Sequence, residues 1–275
     1  MQILAVIVSS FLILASPLFA LTPEKVEDKT EEELRQDYHT LQSSYSLSRV
    51  FPKNNDKKAL LQGLNFSGGM IVIPGIQLEA MVPMMTLGGT LSFTNPYLGL
   101  SASLFEGLVN DFPTFVSLKT GMKLPLASDH EFVFDRTDVV IGISSLREIY
   151  HLGLSADISY IVKIDPSPVN RRYGNELASS LSAEVNTPFR LLPGIGLHYR
   201  RGGAYQDNEM KIPGQSLFVL TPFFSYHFSP DTILKTAFAI PIGRHNLRER
   251  LTVFGDYTIP GVGGNTFSLA FEKRF

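Results

Sequence analysis

The sequence contains no cysteine and no tryptophan, and its formal net charge is only −2. Without cysteine the chain can form no disulfide, no thiolate nucleophile and no cysteine-bound zinc site. Nucleic-acid binders need clustered lysine and arginine to displace counterions, so this balanced charge gives no reason to expect nucleic acid as a partner. After residue 20 no stretch reaches 18 consecutive apolar residues, which argues against membrane-spanning helices.

Residues 1–20 have the composition of a signal peptide. The apolar run Ile3–Leu14 is followed by Pro17 and by the small residue Ala20, which predicts cleavage before Leu21. The alternative is an uncleaved membrane anchor, but the run is shorter than the ~20 residues that a spanning helix needs. We therefore expect the chain to be exported.

Residues 21–58 are predicted to form an acidic helical segment and a polar linker. Thr30 and Glu33 have the spacing of a capping box. An apolar stripe at helical spacing follows, formed by Leu34, Tyr38, Leu41 and Tyr45. Two placements remain open for this segment: a helix on the periplasmic side of a membrane, or a plug that rests its stripe inside a barrel.

From about residue 76 the apolar residues recur with a period of two, which predicts strands. Ten candidate strands cover 76–87, 97–107, 114–125, 134–145, 150–163, 176–187, 193–203, 216–228, 231–243 and 265–275. Most have the length of the ~9–11 residues that a tilted membrane-spanning strand requires, and several have one apolar face and one face of small, polar or charged residues. This pattern is typical of a strand between lipid and water.

The connections between the candidate strands alternate in length. Short turns such as 188–192 and 229–231 follow the even-numbered strands, and long polar loops such as 165–174 and 244–264 follow several odd-numbered ones. Outer-membrane barrels have this arrangement. We therefore predict that residues 59–275 form an all-β, closed antiparallel transmembrane barrel of ten strands, or of twelve if Leu60–Ser67 and Leu251–Ile259 also span the membrane.

The last candidate strand places Phe267, Leu269, Phe271 and Phe275 on one face, and the sequence ends on that final phenylalanine. A terminal phenylalanine that closes an alternating strand resembles the C-terminal signal of outer-membrane barrels. That resemblance implies that the barrel-assembly machinery reads Phe275, and that the protein resides in the outer membrane. Lys273 departs from the pattern, which usually has an apolar residue there.

Three stretches resemble one family of outer-membrane proteins, those of the phenol meta-degradation type. They are Leu217–Asp231, Thr236–Arg244 together with the final strand, and Ile73–Glu79, which is similar to the start of that family's first strand. The family is regarded as one of transporters. The resemblance implies passage of small molecules and identifies none.

Ten charged or histidine side chains are predicted to line the barrel interior: Lys119, Lys123, Asp138, His151, Asp157, Glu184, His198, Arg200, His227 and Lys235. Their mixed signs predict an internal ion-pair network or a weakly selective pore. The histidines share a predicted face with Ser225 and with carboxylates, which leaves a hydrolytic site open as an alternative. No cofactor or metal ion is expected, and a polar lumen without catalysis is the preferred interpretation.

The sequence is compatible with three functions. The first is passive or facilitated passage of small solutes, the second is a structural or surface-interaction barrel without transport, and the third is a lipid hydrolase. The protein is expected to contact outer-membrane lipid. Loop residues Arg171, Arg172 and Tyr173 and the run Arg244–Arg250 could bind lipopolysaccharide phosphates, or could be solvated.

Overall fold

A computed structural model describes residues 39–50, 59–87, 90–126, 136–164, 171–187, 190–207, 210–243, 247–256 and 258–275. The predicted signal peptide 1–20 and the capping box at Thr30 lie outside these residues. Among the described residues, no helix is both long enough and apolar enough to span a membrane.

The described residues form sixteen strands and one helix. The strands are β1 (Thr40–Val50), β2 (Ala59–Ile73), β3 (Ile76–Leu87), β4 (Thr90–Phe93), β5 (Tyr97–Val109), β6 (Phe112–Lys123), β7 (Thr137–Ile149), β8 (Leu152–Ile164), β9 (Arg171–Tyr173), β10 (Glu176–Val185), β11 (Leu191–Gly202), β12 (Tyr205–Asp207), β13 (Lys211–Ile212), β14 (Gln215–Ser229), β15 (Thr232–Ile242) and β16 (Thr266–Arg274). The helix α1 covers Leu247–Phe254.

Twelve long strands close into an antiparallel barrel. Their order around the barrel is β2-β1-β16-β15-β14-β11-β10-β8-β7-β6-β5-β3, and β3 pairs with β2 to complete the ring. The short β4 extends the ladder of β3 beyond the end of β5. A closed ring leaves no row of unpaired backbone groups, which lipid could not satisfy. The expected fold class is therefore confirmed, with twelve strands rather than ten.

The N-terminal helix prediction is wrong for the described part of that segment, because residues 40–50 form strand β1. Leu41 and Tyr45 are four residues apart, a spacing that fits the period of a helix and also twice the period of a strand. The strand pattern prevails because β1 pairs with both β2 and β16, from Thr40 opposite Arg274 onward. Without β1 the ring would stay open.

Of the two extra spans that the sequence allowed, one is a strand and the other is not. Leu60–Ser67 lies within β2, whereas Leu251–Ile259 comprises the end of α1 and the turn after it. Gly255 has a φ of 65°, the left-handed conformation that commonly ends a helix. Arg250 and Asp256, which bracket this end, are both buried inside the protein.

The two ends of the barrel carry connections of different length. At one end five connections contain two to five residues. Strand β1 begins and strand β16 ends at this same end of the barrel. The turn Asn110-Asp111 has positive φ at both residues, as a type I′ hairpin requires. At the other end six connections contain eight to 23 residues. We call these the short-turn end and the long-loop end.

The outer surface of the barrel is apolar. Large hydrophobic side chains that point outward are exposed on strand after strand, including Leu41, Phe66, Leu100, Ile141, Leu181, Leu197, Phe224, Phe238 and Phe267. Such a belt would be unfavourable in water and is what a lipid-facing surface requires. The structure is therefore that of a membrane-spanning β-barrel.

Candidate functional site: the lumen and the loop inside it

Inward-facing side chains form a continuous row around the barrel, because residues paired across strands share a face. Ser155 of β8 pairs with Ser182 of β10, and their hydroxyl oxygens lie 2.6 Å apart. Ser225 of β14 lies in the same inward row and donates a hydrogen bond to Glu184 at 2.8 Å. The interior of the barrel is therefore polar over much of its wall.

The connection between β15 and β16 folds into the lumen at the long-loop end. It carries α1, and its apolar side chains pack against inward residues of β14 and β15. This cluster contains Leu217, Val219, Ala239, Leu251, Phe254, Ile259 and Val262, all of them buried. Phe254 and Val262 have no exposed surface. Burial of this apolar area, at about 25 cal/mol per Å², holds the loop inside the barrel.

Two buried cations bind the last carbonyl groups of α1, which no helical hydrogen bond satisfies. Arg136 donates to the carbonyl oxygen of Phe254 at 2.6 Å, and Lys163 donates to that of Val253 at 3.0 Å. A helix C-terminus carries partial negative charge, so both contacts are favourable. They attach the end of the helix to β8 and to the residue preceding β7.

An ion pair joins the loop to the opposite wall of the barrel. Asp256 follows α1 and binds the ammonium of Lys123 at the end of β6. Strand β6 lies six places from β15 in the ring of twelve. Since the loop starts from β15 and reaches β6, it bridges the full width of the lumen.

The environment of Asp256 keeps this carboxylate charged. Burial alone would raise its pKa, but the ammonium of Lys123 and hydrogen bonds from Thr258 outweigh burial and hold the pKa below its usual value. The backbone nitrogen of Thr258 donates to Asp256 at 2.7 Å. The pair is therefore intact at neutral pH.

A second buried network lies on the wall beside the helix. Glu176 of β10 binds Lys163 at 2.9 Å and Arg200 at 2.7 Å. Arg136 binds Asp138 of β7 at 2.7 Å. We call the level defined by Lys123, Arg136, Asp138, Lys163, Glu176, Arg200, Arg250 and Asp256 the throat.

Below the throat, towards the short-turn end, the lumen holds a cavity of about 580 Å³. Its wall combines apolar surface with polar and charged side chains, among them Gln42, Gln77, Glu79, Asp157 and Glu272. Lys123 and Arg200 line the same cavity, so it reaches the throat. The volume is in the range of sites that hold small molecules.

Short strands from two loops lie over the loop inside the barrel. Strands β9, β12 and β13 form a small sheet, which we call the cap. Tyr205 and Ile212 of the cap pack against Val253 of α1. The guanidinium of Arg136 lies 4.6 Å from the ring centre of Tyr173. The cap and the inner loop thus form one packed unit at the long-loop end.

Most of the predicted lumen residues occupy the inward row. Lys119, Asp157, Glu184, His198, Arg200, His227 and Lys235 lie on it along the strands, and Lys123 and Asp138 lie on it at the throat. The ammonium of Lys235 sits 4.3 Å from the ring centre of Phe223. His151 instead lies in the turn between β7 and β8 and is exposed.

The inward serine that could have served as a nucleophile is held by a carboxylate. The hydroxyl of Ser225 donates to Glu184, so its hydrogen is not directed to an imidazole. A serine nucleophile needs a base such as histidine within hydrogen-bond reach. This geometry does not favour hydrolysis at Ser225.

Sequence reasoning missed five residues of the throat: Arg136, Lys163, Glu176, Arg250 and Asp256. Lys163 and Glu176 continue the inward alternation of β8 and β10, so the same period could have identified them. Arg136 lies two residues before Asp138 in the candidate strand 134–145, so the same alternation applies to it. Arg250 and Asp256 lie outside the strands, and their roles depend on contacts that no local pattern carries.

Phe275 is exposed at the short-turn end, where its backbone completes the closure. The backbone nitrogen of His39 donates to the carbonyl oxygen of Phe275 at 3.2 Å, and that of Phe275 donates back to His39 at 2.9 Å. The side chain is 69% exposed. Its surface is available to lipid or to another protein.

Comparison with known proteins gives structural matches alone. No protein-family model and no curated protein sequence matches the chain. An outer membrane channel from Pseudomonas putida F1 is similar in structure, with a TM-score of 0.64 and 10% sequence identity over 90% of this chain and 100% of that one. The NanC porin and the KdgM porin give TM-scores of 0.49 and 0.48, each with 10% identity over 86% of this chain and over 98% and 99% of theirs. The chain thus has the fold of a bacterial outer-membrane β-barrel.

Proposed function

We propose that the barrel allows small solutes to cross the outer membrane, and that the β15–β16 loop sets their size limit. The observation that carries this proposal is the cavity of about 580 Å³ inside the lumen, which is lined in part by charged side chains and ends at Lys123 and Arg200 beneath the loop. A purely structural barrel could fill its interior with packed side chains. The likeness to a protein described as an outer membrane channel supports the same function.

The size limit follows from the way the loop is held. It is attached on one side by the apolar cluster around Phe254 and on the other by the pair of Asp256 and Lys123. A solute that moves between the two ends must pass beside this bridge or displace it. Loss of one attachment should therefore admit larger solutes.

Liposome swelling with purified protein tests the proposal. We expect glycerol and arabinose to enter readily and the trisaccharide raffinose to enter slowly. Asp256→Asn removes the charge that binds Lys123 and should raise the raffinose rate several-fold. Asp231→Asn is the matched control, because Asp231 is exposed in a turn at the short-turn end. No swelling with any solute would contradict transport.

A second candidate, a barrel that displays its loops without transport, is favoured by the cap. Arg172, Gln206 and Lys211 are exposed on it, and the unit below it is closely packed. This candidate predicts no swelling in the parent protein and in both variants. The same experiment thus separates the two functions.

The class of solute, contact with lipopolysaccharide and recognition of Phe275 are further parts of this proposal. The resemblance to outer-membrane proteins of the phenol meta-degradation type supports small molecules as solutes and does not identify them. Lipopolysaccharide contact at Arg172 is compatible with its exposure on the cap. Recognition of Phe275 by the barrel-assembly machinery is compatible with its exposed ring.

A further inference from the structure

The throat contains more cations than carboxylates. Its cations are Lys123, Arg136, Lys163, Arg200 and Arg250, and its carboxylates are Asp138, Glu176 and Asp256. Among the described residues this leaves two positive charges without a carboxylate of their own. Glu249 of α1 accepts a hydrogen bond from Gln215 at 3.2 Å, and counting its charge still leaves an excess of one.

The excess can be assigned to particular groups. Glu176 is shared between Lys163 and Arg200, so one cation of that trio is not neutralised. Arg250 is 1% exposed and donates to the carbonyl oxygen of Gly261 at 3.3 Å. Within the described residues, Nε of Arg250 and Nη1 of Arg136 are buried without an acceptor.

Positive charge in a low-dielectric passage acts on every ion that enters it. Walls of low dielectric focus the field, so clefts of one sign concentrate ions of the opposite sign. Rings of arginine or lysine select anions in this way. Lys123 and Arg200 keep about a fifth of their side-chain surface exposed and line the cavity, so a solute in the cavity meets them before the other residues of the throat.

The carboxylates of the cavity lie nearer the short-turn end. Glu272 is neutralised by Arg274 at 2.7 Å, whereas Glu79 and Asp157 face the wider cavity. Water screens charge there more strongly than at the narrow throat. The throat therefore decides the sign of the preferred ion.

We infer that the throat selects small anionic solutes, and that Arg200 is a residue that determines this selectivity. The inference rests on the proposed function, because it names the class of solute for the same passage. Arg200 is the most suitable cation of the throat to substitute. Its removal leaves Glu176 paired with Lys163, so no carboxylate is left unpaired and the wall keeps its structure.

The reversal potential of single channels in a potassium chloride gradient tests the inference. For the parent we expect a chloride-over-potassium permeability ratio of roughly 25, because one unit charge at 4 Å in water favours chloride by a factor of roughly 5 and disfavours potassium by the same factor. Arg200→Gln should bring the ratio close to unity, and Arg200→Lys should restore much of it. Arg201→Gln is the matched control, since Arg201 is the next residue, faces outward and is exposed.

Three outcomes of this measurement would contradict part of the inference. A parent channel that prefers potassium, or that shows no preference, overturns the inference while leaving transport intact. Equal ratios in Arg200→Gln and Arg201→Gln overturn the role of Arg200. A parent protein without any current contradicts the proposed function itself, and the inference fails with it.

Discussion

The two halves of the barrel interior differ in what fills them. The half near the short turns holds an open cavity bordered by polar side chains such as Gln77 and Glu79. The half near the long loops is filled by the β15–β16 loop, where Phe254 and Val262 are completely buried. The same strands run through both halves. A single connection of 23 residues therefore changes the interior from a solvated cavity to a packed bridge.

This contrast separates two roles within the chain. Alternation along the strands builds a wall that is apolar outside and polar inside. The loop then adds apolar groups and charges to the inside, where the wall alone would leave water. The barrel supplies the path and the loop supplies the barrier.

Phe254→Ala should weaken the packed half most. Truncation of a fully buried phenylalanine costs ~3–5 kcal/mol. Here we expect this cost to reduce the free energy of docking of the loop and to leave the stability of the barrel unchanged. We expect raffinose to enter liposomes much faster than with the parent. Phe228→Ala is the matched control, since Phe228 is exposed and faces outward. Equal raffinose rates in the two variants would show that the loop is not the barrier.

Leu181→Arg should destabilise the wall that both halves share. Leu181 points outward in the middle of β10, and an arginine facing mid-membrane lipid costs ~2–4 kcal/mol. Ser182→Arg places the same group in the lumen and should be tolerated far better. Heat-dependent gel mobility measures the folded fraction. If both variants fold equally well, the inside and outside faces are assigned wrongly.

Acid should break the ion pair between Asp256 and Lys123 and so release the β15–β16 loop, while the cavity near the short turns stays unchanged. The pKa of Asp256 in the folded protein lies below its usual 3.8. Its contribution to loop docking is therefore complete above about pH 3.8 and is lost as the pH falls through the lower folded value. Raffinose entry should rise in this acid range in the parent and should stay constant in Asp256→Asn. An increase near neutral pH would point to another group.

Deletion of Phe275 should have the smallest effect on stability. Its ring is largely exposed, so its loss removes ~2 kcal/mol at most. We nevertheless expect less protein in the outer membrane and more in the periplasm, because the assembly machinery would lose its signal. Lys273→Tyr, which brings the strand closer to the usual pattern, should not reduce assembly. Normal assembly of the truncated chain would show that the terminal phenylalanine is not read.

The wall was predictable from sequence because each strand repeats one local rule. The period of two assigns Asp157 and Glu184 to the lumen, and the structure places them on the inward row. Strand β1 was misassigned because Leu41 and Tyr45 satisfy the helical and the strand periods alike. Closure of the ring decides between the two, and closure is a property of the whole chain.

The loop was not predictable by the same means. Leu251–Ile259 is apolar enough to resemble a further span, and its packing inside the lumen depends on inward residues of β14 and β15 that are distant in sequence. The pair of Lys123 and Asp256 joins residues 133 positions apart. Such contacts exist only after the barrel has closed, so no local pattern identifies them.

A disulfide between the wall and the loop tests the central claim, that the loop docks inside the lumen and limits passage. A Cβ atom added at Gly202 of β11 would lie 2.5 Å from Cγ1 of Val253, so cysteine side chains at these two positions would be in direct contact, as a disulfide requires. The chain has no other cysteine, so Gly202→Cys combined with Val253→Cys can form just this bond. If the loop docks inside the lumen, mild oxidation forms the bond, and raffinose stays excluded when the same protein carries Asp256→Asn. Reduction of the bond should then let raffinose enter. Two free thiols after oxidation, or fast raffinose entry despite the bond, would contradict the claim.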